Sequence, residues 1–272
     1  MHTDDDPRFD AQVASAEQLS PGLRRVRFTG PGLAGFASSG DPDERLLVEF
    51  DGHRRSYTVR RWDPLARALD IDFAVHGGGA AAAWARAAAP GLPVRLSRPR
   101  GWYRPPADAR WQLLLADLSA LPAAGRIVET LPAGTRAHLI AEVPTAADEQ
   151  TWDTPAELTV DWLHGTGNGA SPSALPDALT ARELPSGPGY LWSACETSAS
   201  RSIRAHVRHW LGWSAERFHV MGYWQADKER WLARYAEVES RIEELTVREL
   251  SSGRSLDEVR DAVDAALAEA GL

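Results

Sequence analysis

The sequence predicts a protein of the β + α/β class, with an antiparallel β-barrel first, a parallel α/β domain second and a helical hairpin at the C-terminal end. Three observations predict this class. Short strand-like runs broken by glycine and proline fill about the first hundred residues, strands alternate with helices after Gly101, and two amphipathic helices follow Trp224. The predicted domains are residues 1–104, 105–224 and 225–272.

The predicted barrel strands are short, partly alternating runs of apolar residues, with glycine or proline clusters between them. They cover residues 23–28, 46–50, 56–60, 69–75 and 94–96. Several short strands at this spacing favour a small antiparallel barrel. One alanine-rich helix, residues 80–89, interrupts the strands and follows a run of three glycines.

After a proline-marked linker near residues 100–108, the pattern changes to strands that alternate with helices, which indicates a parallel sheet. The predicted strands are residues 111–116, 137–142, 157–160, 190–193 and 218–221. The predicted helices are residues 121–130 and 198–210. Residues 165–189 are rich in Gly, Pro, Ser and Ala, and we expect them to form a mobile loop.

The C-terminal segment predicts two amphipathic helices. The first has one apolar face, formed by Trp231, Tyr235, Val238, Ile242 and Leu245. The second begins at a capping box between Ser255 and Glu258 and ends before Gly271. We expect a packed hairpin that buries its apolar faces on the body of the protein or on a second subunit.

Composition excludes several classes of protein. The chain of 272 residues has one cysteine, too few for a disulfide framework, a cysteine-built zinc site or an iron–sulfur cluster. It has 38 acidic and 30 basic side chains, a net charge of −8 and no basic stripe, which disfavours nucleic-acid binding. No apolar stretch approaches about 18 residues and the N-terminus is acidic, which predicts a soluble, cytoplasmic protein without membrane insertion.

The sharpest local motif is Arg55-Ser56-Tyr57-Thr58 at the edge of a barrel strand, followed about 20 residues later by the glycines that open the alanine helix. A flavin needs an aromatic face for its ring, donors along the ring edge, and cations or a helix N-terminus for its pyrophosphate. This motif can supply all three. From these residues alone, an ordinary strand with a surface arginine is an equally good interpretation.

The chain resembles the siderophore-interacting protein family, FAD-dependent ferric-siderophore reductases related to the ferredoxin–NADP reductase superfamily. The resemblance rests on ordered segments between about Val26 and Trp224: R-S-Y-T-V-R-R-W-D-P, L-D-I-D-F-A-V-H-G, P-R-G, A-L-P-A, W-L-H and G-Y-W. It implies a Greek-key FAD-binding barrel, a reductase-like α/β domain, FAD as cofactor and NAD(P)H as electron donor.

The resemblance also implies which residues hold FAD. The ring side is Arg55, Ser56, Tyr57 and Thr58, and the pyrophosphate side includes His76, Gly77, Gly79, Ala81, Ala82 and Trp84. Ala80 and Ala82 stand where the family has proline and serine. A lost hydroxyl removes one phosphate hydrogen bond, worth about 1.5–3 kcal/mol, so we expect weaker FAD binding.

For the dinucleotide, the resemblance points to Asp117, Ser119 and Glu196 at the carboxyl ends of parallel strands. Ala116 and Cys195 stand where the family has glycines, and a leucine replaces the glutamate after Asp117. These departures predict either altered affinity for NAD(P)H or a different electron source. We interpret Cys195 itself as a small buried side chain, since no partner base is evident.

We expect the ferric siderophore to bind near Arg60, Arg104, Arg204, Trp224 and Lys228. Arg204 shares one helix face with Arg201 and Arg208, and this face suits an anionic ligand or is simply solvated. His206 and His209 have a spacing that metals can use, but no third ligand is evident, so we predict no metal site. No catalytic acid or base is predicted, because outer-sphere electron transfer needs none.

The sequence therefore leads to a hypothesis of ferric-siderophore reduction by NAD(P)H through FAD. Fe(II) binds hard oxygen ligands more weakly than Fe(III), so reduction would release the iron. Two alternatives stay open. One is a flavin-dependent reductase with a different acceptor or donor, and the other is a non-catalytic protein that binds a siderophore or a flavin. The oligomeric state also stays open.

Overall fold

The chain builds two β-sheets joined by a short linker, with a helical hairpin after the second sheet. A computed structural model describes residues 7–75, 78–226 and 228–272. The first sheet is antiparallel and has seven strands, and the second is parallel and has five. This arrangement confirms the fold class predicted from the sequence.

The first sheet is a Greek-key barrel. Its strands are β1 Arg8–Ser20, β2 Leu23–Thr29, β3 Arg45–Phe50, β4 His53–Thr58, β5 Arg61–Asp63, β6 Ala68–Ala74 and β7 Pro93–Ser97, in the order β4-β3-β7-β1-β2-β6-β5. The chain runs from β4 into β5, which pairs with β6, so β4 and β5 form the two edges of a half-barrel. Strand β7 returns to lie beside β3, which makes the Greek key.

Three barrel strands differ from prediction, one of them the short strand β5, which was not predicted. Strand β1, with 13 residues, was not predicted, because its buried positions include the small Ala11 and few large apolar residues, which makes its apolar signal weak. The strand expected at residues 56–60 begins earlier, at His53, and ends at Thr58. After this break, the backbone N–H of Arg60 donates to the carbonyl of Asp70 at 2.9 Å, which continues the pairing toward β5.

The barrel core is aromatic, and helix α1, Ala80–Ala87, closes it from one side. Trp84 on this helix packs against Phe28, Phe50 and Phe73, with ring centroids 6.3, 4.8 and 5.5 Å away. Trp84 is 6% exposed. The α1 helix is therefore anchored by its single large side chain.

The second domain is an open parallel sheet with the order β10-β9-β8-β11-β12. Its strands are β8 Trp111–Asp117, β9 Arg136–Val143, β10 Glu157–His164, β11 Gly189–Glu196 and β12 Phe218–Trp224. Its helices are α2 Leu121–Thr130, α3 Leu175–Thr180 and α4 Thr197–Ala205. Because the strands are parallel, their carboxyl ends meet at one edge, where α/β proteins bind ligands.

Two predictions in this domain are wrong in part. Residues 165–189 are not a loop throughout, since they contain α3, which buries Leu175 and Leu179 against the sheet. The helix expected over residues 198–210 ends as an α-helix at Ala205. Residues His206–Trp210 then form one π-helical turn.

The C-terminal hairpin consists of α5 Lys228–Ser251 and α6 Leu256–Glu269. Both hydrogen bonds of the predicted Ser255–Glu258 capping box are present. Helix α6 contacts α4 through the ion pair Arg204–Asp264 and the π-helical turn after α4 through Arg208–Asp261, so the hairpin packs on the body of its own chain. No helix among the described residues is long and apolar enough to cross a membrane.

Candidate functional site

One buried carboxylate joins the barrel to the second domain. Asp43, which is 2% exposed, accepts hydrogen bonds from the backbone N–H groups of Trp102 and Tyr103 at 2.8 and 3.0 Å. Its other oxygen accepts from the indole Nε1 of Trp192 at 3.1 Å. Trp102 and Tyr103 belong to the linker and Trp192 to β11, so Asp43 fixes how the linker crosses between the domains.

Beside this tie lies an interdomain cluster, formed by Arg45, Thr58, Trp102, His219 and Tyr223. The Arg45 guanidinium lies 5.2 Å from the ring centre of Trp102 and 4.4 Å from that of Tyr223. His219 stacks on Trp102, with the rings 6.2 Å apart and 9° from parallel. Arg45 is the register partner of Thr58, the last residue of the predicted flavin motif.

Three buried polar atoms in the interdomain cluster have no hydrogen bond of normal geometry: Arg45 Nε, Thr58 Oγ1 and His219 Nε2. Thr58 has the phenol of Tyr223 as a close polar neighbour. Burial lowers the pKa of His219 to about 4 and raises that of Tyr223 to about 12, so both rings are neutral near pH 7. Buried polar atoms without partners are uncommon and mark a place where a polar ligand fits.

The predicted flavin motif is continuous with the interdomain cluster. Tyr57 is half-buried and its ring packs 4.3 Å from that of Phe73. Burial raises the pKa of the Tyr57 phenol well above its ordinary value. Arg55 and Ser56 are exposed on β4, before the strand reaches the domain interface. The motif thus presents two exposed polar residues, one aromatic ring and one buried hydroxyl in sequence order.

The predicted pyrophosphate side lies at the N-terminus of α1. Gly79 precedes the helix with φ 107°, and no side chain caps the first turn. The free N–H groups in the first turn of α1 and the dipole of this helix suit an anion. Ala81 is half-buried and Ala82 is buried. The predicted His76 and Gly77 lie outside the described residues.

One predicted cofactor contact is corrected here. Trp84 points into the barrel core and contacts three phenylalanines, so it supports α1 from inside. The remaining features fit FAD: Tyr57 offers an aromatic face, Thr58 a buried hydroxyl without a normal hydrogen bond, and α1 an uncapped N-terminus.

A second candidate site is a cleft of about 590 Å³ at the carboxyl ends of the parallel strands. Its walls are the loop 167–173, the first turn of α4 and the end of β12 at Trp224. The described lining residues include Glu196 but neither arginine nor lysine. We call this space the dinucleotide cleft, because its place in the fold is the one that such ligands occupy.

The structure brings three predicted residues together, namely Asp117, Ser119 and Trp224, and Trp224 is the one that lines the dinucleotide cleft. Asp117 Oδ1 accepts from both the N–H and the hydroxyl of Ser119, at 3.0 and 2.6 Å. Asp117 Oδ2 accepts from the indole of Trp224 at 2.6 Å, so Trp224 belongs to this cleft. Burial raises the pKa of Asp117 to about 6.

Glu196 also lies at the cleft, where it caps α4. Its Oε2 accepts from the Ser198 N–H at 2.6 Å, the Ser198 hydroxyl at 2.5 Å and the Ala199 N–H at 3.2 Å. Its Oε1 accepts from the Gln225 amide and the Ala226 N–H, both at 3.2 Å. The carboxylate therefore ties the start of α4 to the segment after β12.

The predicted basic substrate residues do not converge. Each of the three arginines is engaged by an acidic partner far away in the sequence, so none presents a free guanidinium to a common pocket. The pairs are Arg60–Glu129, Arg104–Asp41 and Arg204–Asp264. Lys228 begins α5, but its side chain lies outside the described part of the structure.

Three residues of the interdomain cluster were not predicted from the sequence. Arg45, Trp102 and His219 carried no motif of their own, although Trp102 directly follows the P-R-G segment. Cys195 is buried, and its Sγ lies 3.3 Å from the Ser200 hydroxyl. Burial raises the pKa of its thiol, which agrees with a packing role. Among the described residues, no group of His, Cys, Asp and Glu side chains could hold a metal ion.

An antiparallel half-barrel that carries the flavin motif, joined to a parallel α/β domain, is the arrangement of a reductase-like flavoprotein. The chain belongs to the siderophore-interacting protein family. Residues 48–103 match the model described as a siderophore-interacting FAD-binding domain, and residues 109–227 match the model described as siderophore-interacting protein.

Relatives extend over most of the chain. A siderophore utilization protein from T. fusca is 32% identical, with 81% of this chain and 94% of that chain covered and a TM-score of 0.72. Ferric vibriobactin reductase ViuB of Vibrio cholerae is 28% identical, covering 77% of this chain and 86% of its own. The NADPH-dependent ferric-chelate reductase of Escherichia coli is 28% identical, covering 81% and 94%.

Proposed function

We propose that this protein is a cytoplasmic ferric-siderophore reductase, which uses electrons from NAD(P)H, through FAD, to reduce siderophore-bound Fe(III) to Fe(II). The observation that carries the proposal is the interdomain cluster. Its Arg45 Nε and His219 Nε2 are buried without a hydrogen-bond partner among the described residues. Arg45 pairs in register with Thr58 at the end of the flavin motif, and the Thr58 hydroxyl has the Tyr223 phenol as a close polar neighbour. The names of the ferric reductases among the relatives support the substrate class.

Three parts of this chain would hold FAD. Tyr57 would lie against the ring, the Thr58 hydroxyl would bond its edge, and the N-terminus of α1 after Gly79 would receive the pyrophosphate. Bound FAD supplies the chemistry that no side chain can, since it takes up a hydride and gives up electrons one at a time. The protein contributes position and electrostatics.

Arg45 is the best candidate for attracting an anionic ferric chelate. Its guanidinium is held between two aromatic rings, and none of the ion pairs found among the described residues neutralises it. Trp102 and the neutral His219 beside it offer a flat apolar surface for a catecholate or hydroxamate ligand. After reduction, oxygen ligands hold Fe(II) much more weakly than Fe(III), which releases the metal.

The dinucleotide cleft is the proposed entry point of the donor. Trp224 forms its wall nearest the interdomain cluster, because the preceding residue, Tyr223, contacts Arg45. The cleft does not itself distinguish NADH from NADPH by a positive side chain among its described residues. The choice between the two donors is therefore part of the experimental test.

The test is anaerobic. The purified protein is reconstituted with FAD and treated with NADH or NADPH, and a ferric siderophore is then added with a ferrous chelator present. The proposal predicts bleaching of the flavin bands, followed by formation of the ferrous complex. A flavoprotein that bleaches but yields no Fe(II) would instead be a reductase with another acceptor, and a protein that takes up no FAD would be a binding protein only.

The matched variants are Arg45→Gln and Arg24→Gln. Arg24 is a half-buried arginine on β2, away from the cluster. Arg45→Gln should slow reduction of an anionic ferric siderophore about tenfold or more at low salt, because it removes the charge beside the substrate. Arg24→Gln should react at the rate of the unmodified protein, and equal slowing in both variants would contradict the assignment of Arg45.

A further inference from the structure

The backbone donors that bind phosphate in parallel α/β folds are already occupied in this protein. In such folds, the N–H groups of the turns that follow the strands receive the phosphates of a dinucleotide. The turn between β11 and α4 borders the dinucleotide cleft. The turn between β8 and α2 lies behind it, where the Leu118 N–H bonds the cleft residue Asn168.

In the turn before α4, Glu196 takes the place that a phosphate would occupy. It accepts the first N–H groups of the helix, from Ser198 and Ala199, and the Ser198 hydroxyl as well. Gln225 and Ala226 bond its second oxygen. A carboxylate has about four lone-pair positions, so these bonds leave none for a ribose hydroxyl, and the N–H groups of Ser198 and Ala199 are not free for a phosphate.

In the turn before α2, the donors are occupied in the same way. The Leu118 N–H donates to the Asn168 side chain at 3.1 Å, and the Ser119 N–H donates to the Asp117 carboxylate at 3.0 Å. The Ala120 N–H donates to the Asp117 carbonyl at 3.0 Å. Pro122, in the first turn of α2, has no N–H to offer.

The charge of the cleft points in the same direction. Asp117 and Glu142 are register partners at the carboxyl ends of β8 and β9 and are 1% and 0% exposed. Glu196 lies at the cleft wall itself, and Asp117 lies behind this wall, bonded to the indole of Trp224. No arginine or lysine is found among the cleft's described lining residues. A dinucleotide pyrophosphate placed here would meet carboxylates without a balancing cation.

We propose that Glu196 is a specificity-determining residue, an internal anion that fills the phosphate position at the start of α4 and weakens the binding of phosphate-bearing donors. Asp117 has the same effect on the turn before α2. The inference rests on the proposed function only in taking this cleft as the donor site. It assigns the cleft a low affinity for the pyrophosphate of NADH and NADPH alike.

The test measures binding without electron transfer. The probe is ADP-ribose, which carries the pyrophosphate but cannot donate a hydride, titrated calorimetrically into the FAD-reconstituted full chain in low-salt buffer. The variants are Glu196→Gln, which removes the charge, and Glu196→Asp, which keeps it. Glu216→Gln is the matched control, since Glu216 is exposed on the turn before β12 and does not line the cleft.

Glu196→Gln should bind ADP-ribose at least tenfold more tightly than the unmodified protein, whereas Glu196→Asp and Glu216→Gln should not differ from it by more than about twofold. Asp117→Asn is the second variant and should also tighten binding. Equal or weaker binding by both Glu196→Gln and Asp117→Asn would overturn the inference. Tight binding of ADP-ribose by the unmodified protein would overturn it as well.

The proposed function fails separately. If chemically reduced holoprotein does not reduce a ferric siderophore, the reductase proposal is contradicted, but the ADP-ribose titration keeps its meaning. If the titration fails while ferric reduction succeeds, the reductase proposal stands and only the role of Glu196 is lost.

Discussion

Replacing Asp43 by alanine should destabilise the protein by about 5 kcal/mol, because one buried carboxylate holds the domain junction. Asp43 accepts three hydrogen bonds, from the backbone N–H groups of Trp102 and Tyr103 and from the indole of Trp192. Each bond to a charged acceptor is worth about 1.5 kcal/mol or slightly more, and the truncation leaves three donors without a partner.

Asparagine at position 43 should cost less, about 2 kcal/mol. Its carbonyl oxygen can still accept from Trp102 and Tyr103, but its amide group then faces the Trp192 N–H, and two donors meet. Asp10→Ala is the control, since the Asp10 side chain is 83% exposed and pairs with the exposed Arg95. Such a pair contributes about 0.5 kcal/mol or less.

The measurement is urea unfolding, followed by tryptophan fluorescence at neutral pH. The expected order of destabilisation is Asp43→Ala, then Asp43→Asn, then Asp10→Ala. If Asp43→Ala lowers the free energy of unfolding by less than about 1 kcal/mol, Asp43 does not stabilise the domain junction as proposed. The three hydrogen bonds would then not contribute as buried bonds normally do.

Three further results are expected. Trp84→Ala should lower the free energy of unfolding, measured in urea, by about 3–5 kcal/mol, because Trp84 fills the barrel core. A loss below about 1 kcal/mol would contradict this core role, and the predicted contact of Trp84 with the cofactor would then stand. Thr58→Val should weaken FAD binding about tenfold in a fluorescence titration without changing stability by more than about 1 kcal/mol, whereas unchanged FAD affinity would exclude the hydroxyl from the site. The pKa of His219 is about 4 in the folded protein and about 6.5 in the unfolded chain. Because the unfolded chain therefore binds the proton first, the free energy of unfolding falls as the pH is lowered from about 6.5 to about 4. The His219→Gln variant should not show this loss, which is up to about 3 kcal/mol. If the free energy of unfolding changes with pH in the same way in both proteins, the assignment is contradicted.

Most of the fold could be predicted from local signals. Strands β8 and β11 are buried along their whole length, so they are continuous apolar runs that stand out in the sequence. The capping box at Ser255 is a local pattern and is present as predicted. Strand β1 has no such signal, since its inward positions are Phe9, Ala11 and Val13 and its partner β7 is distant in the sequence.

The site was predictable where a contiguous motif carries it and not where distant residues meet. Tyr57 and Thr58 lie in such a motif, and their neighbourhood agrees with it. The expected basic pocket could not be judged from the sequence, because the partners of Arg60, Arg104 and Arg204 lie 69, 63 and 60 residues away. Likewise, only the fold places Arg45 between Trp102 and Tyr223.

The proposed function requires that electrons pass from reduced FAD in this protein to the iron of a siderophore. The most direct measurement is a single turnover, in which anaerobic, chemically reduced holoprotein is mixed with a ferric siderophore, and flavin absorbance and a ferrous chelate are recorded together. The flavin should be reoxidised as about two ferrous ions appear for each FAD. A flavin that stays reduced, with no ferrous chelate formed, would contradict the proposed function.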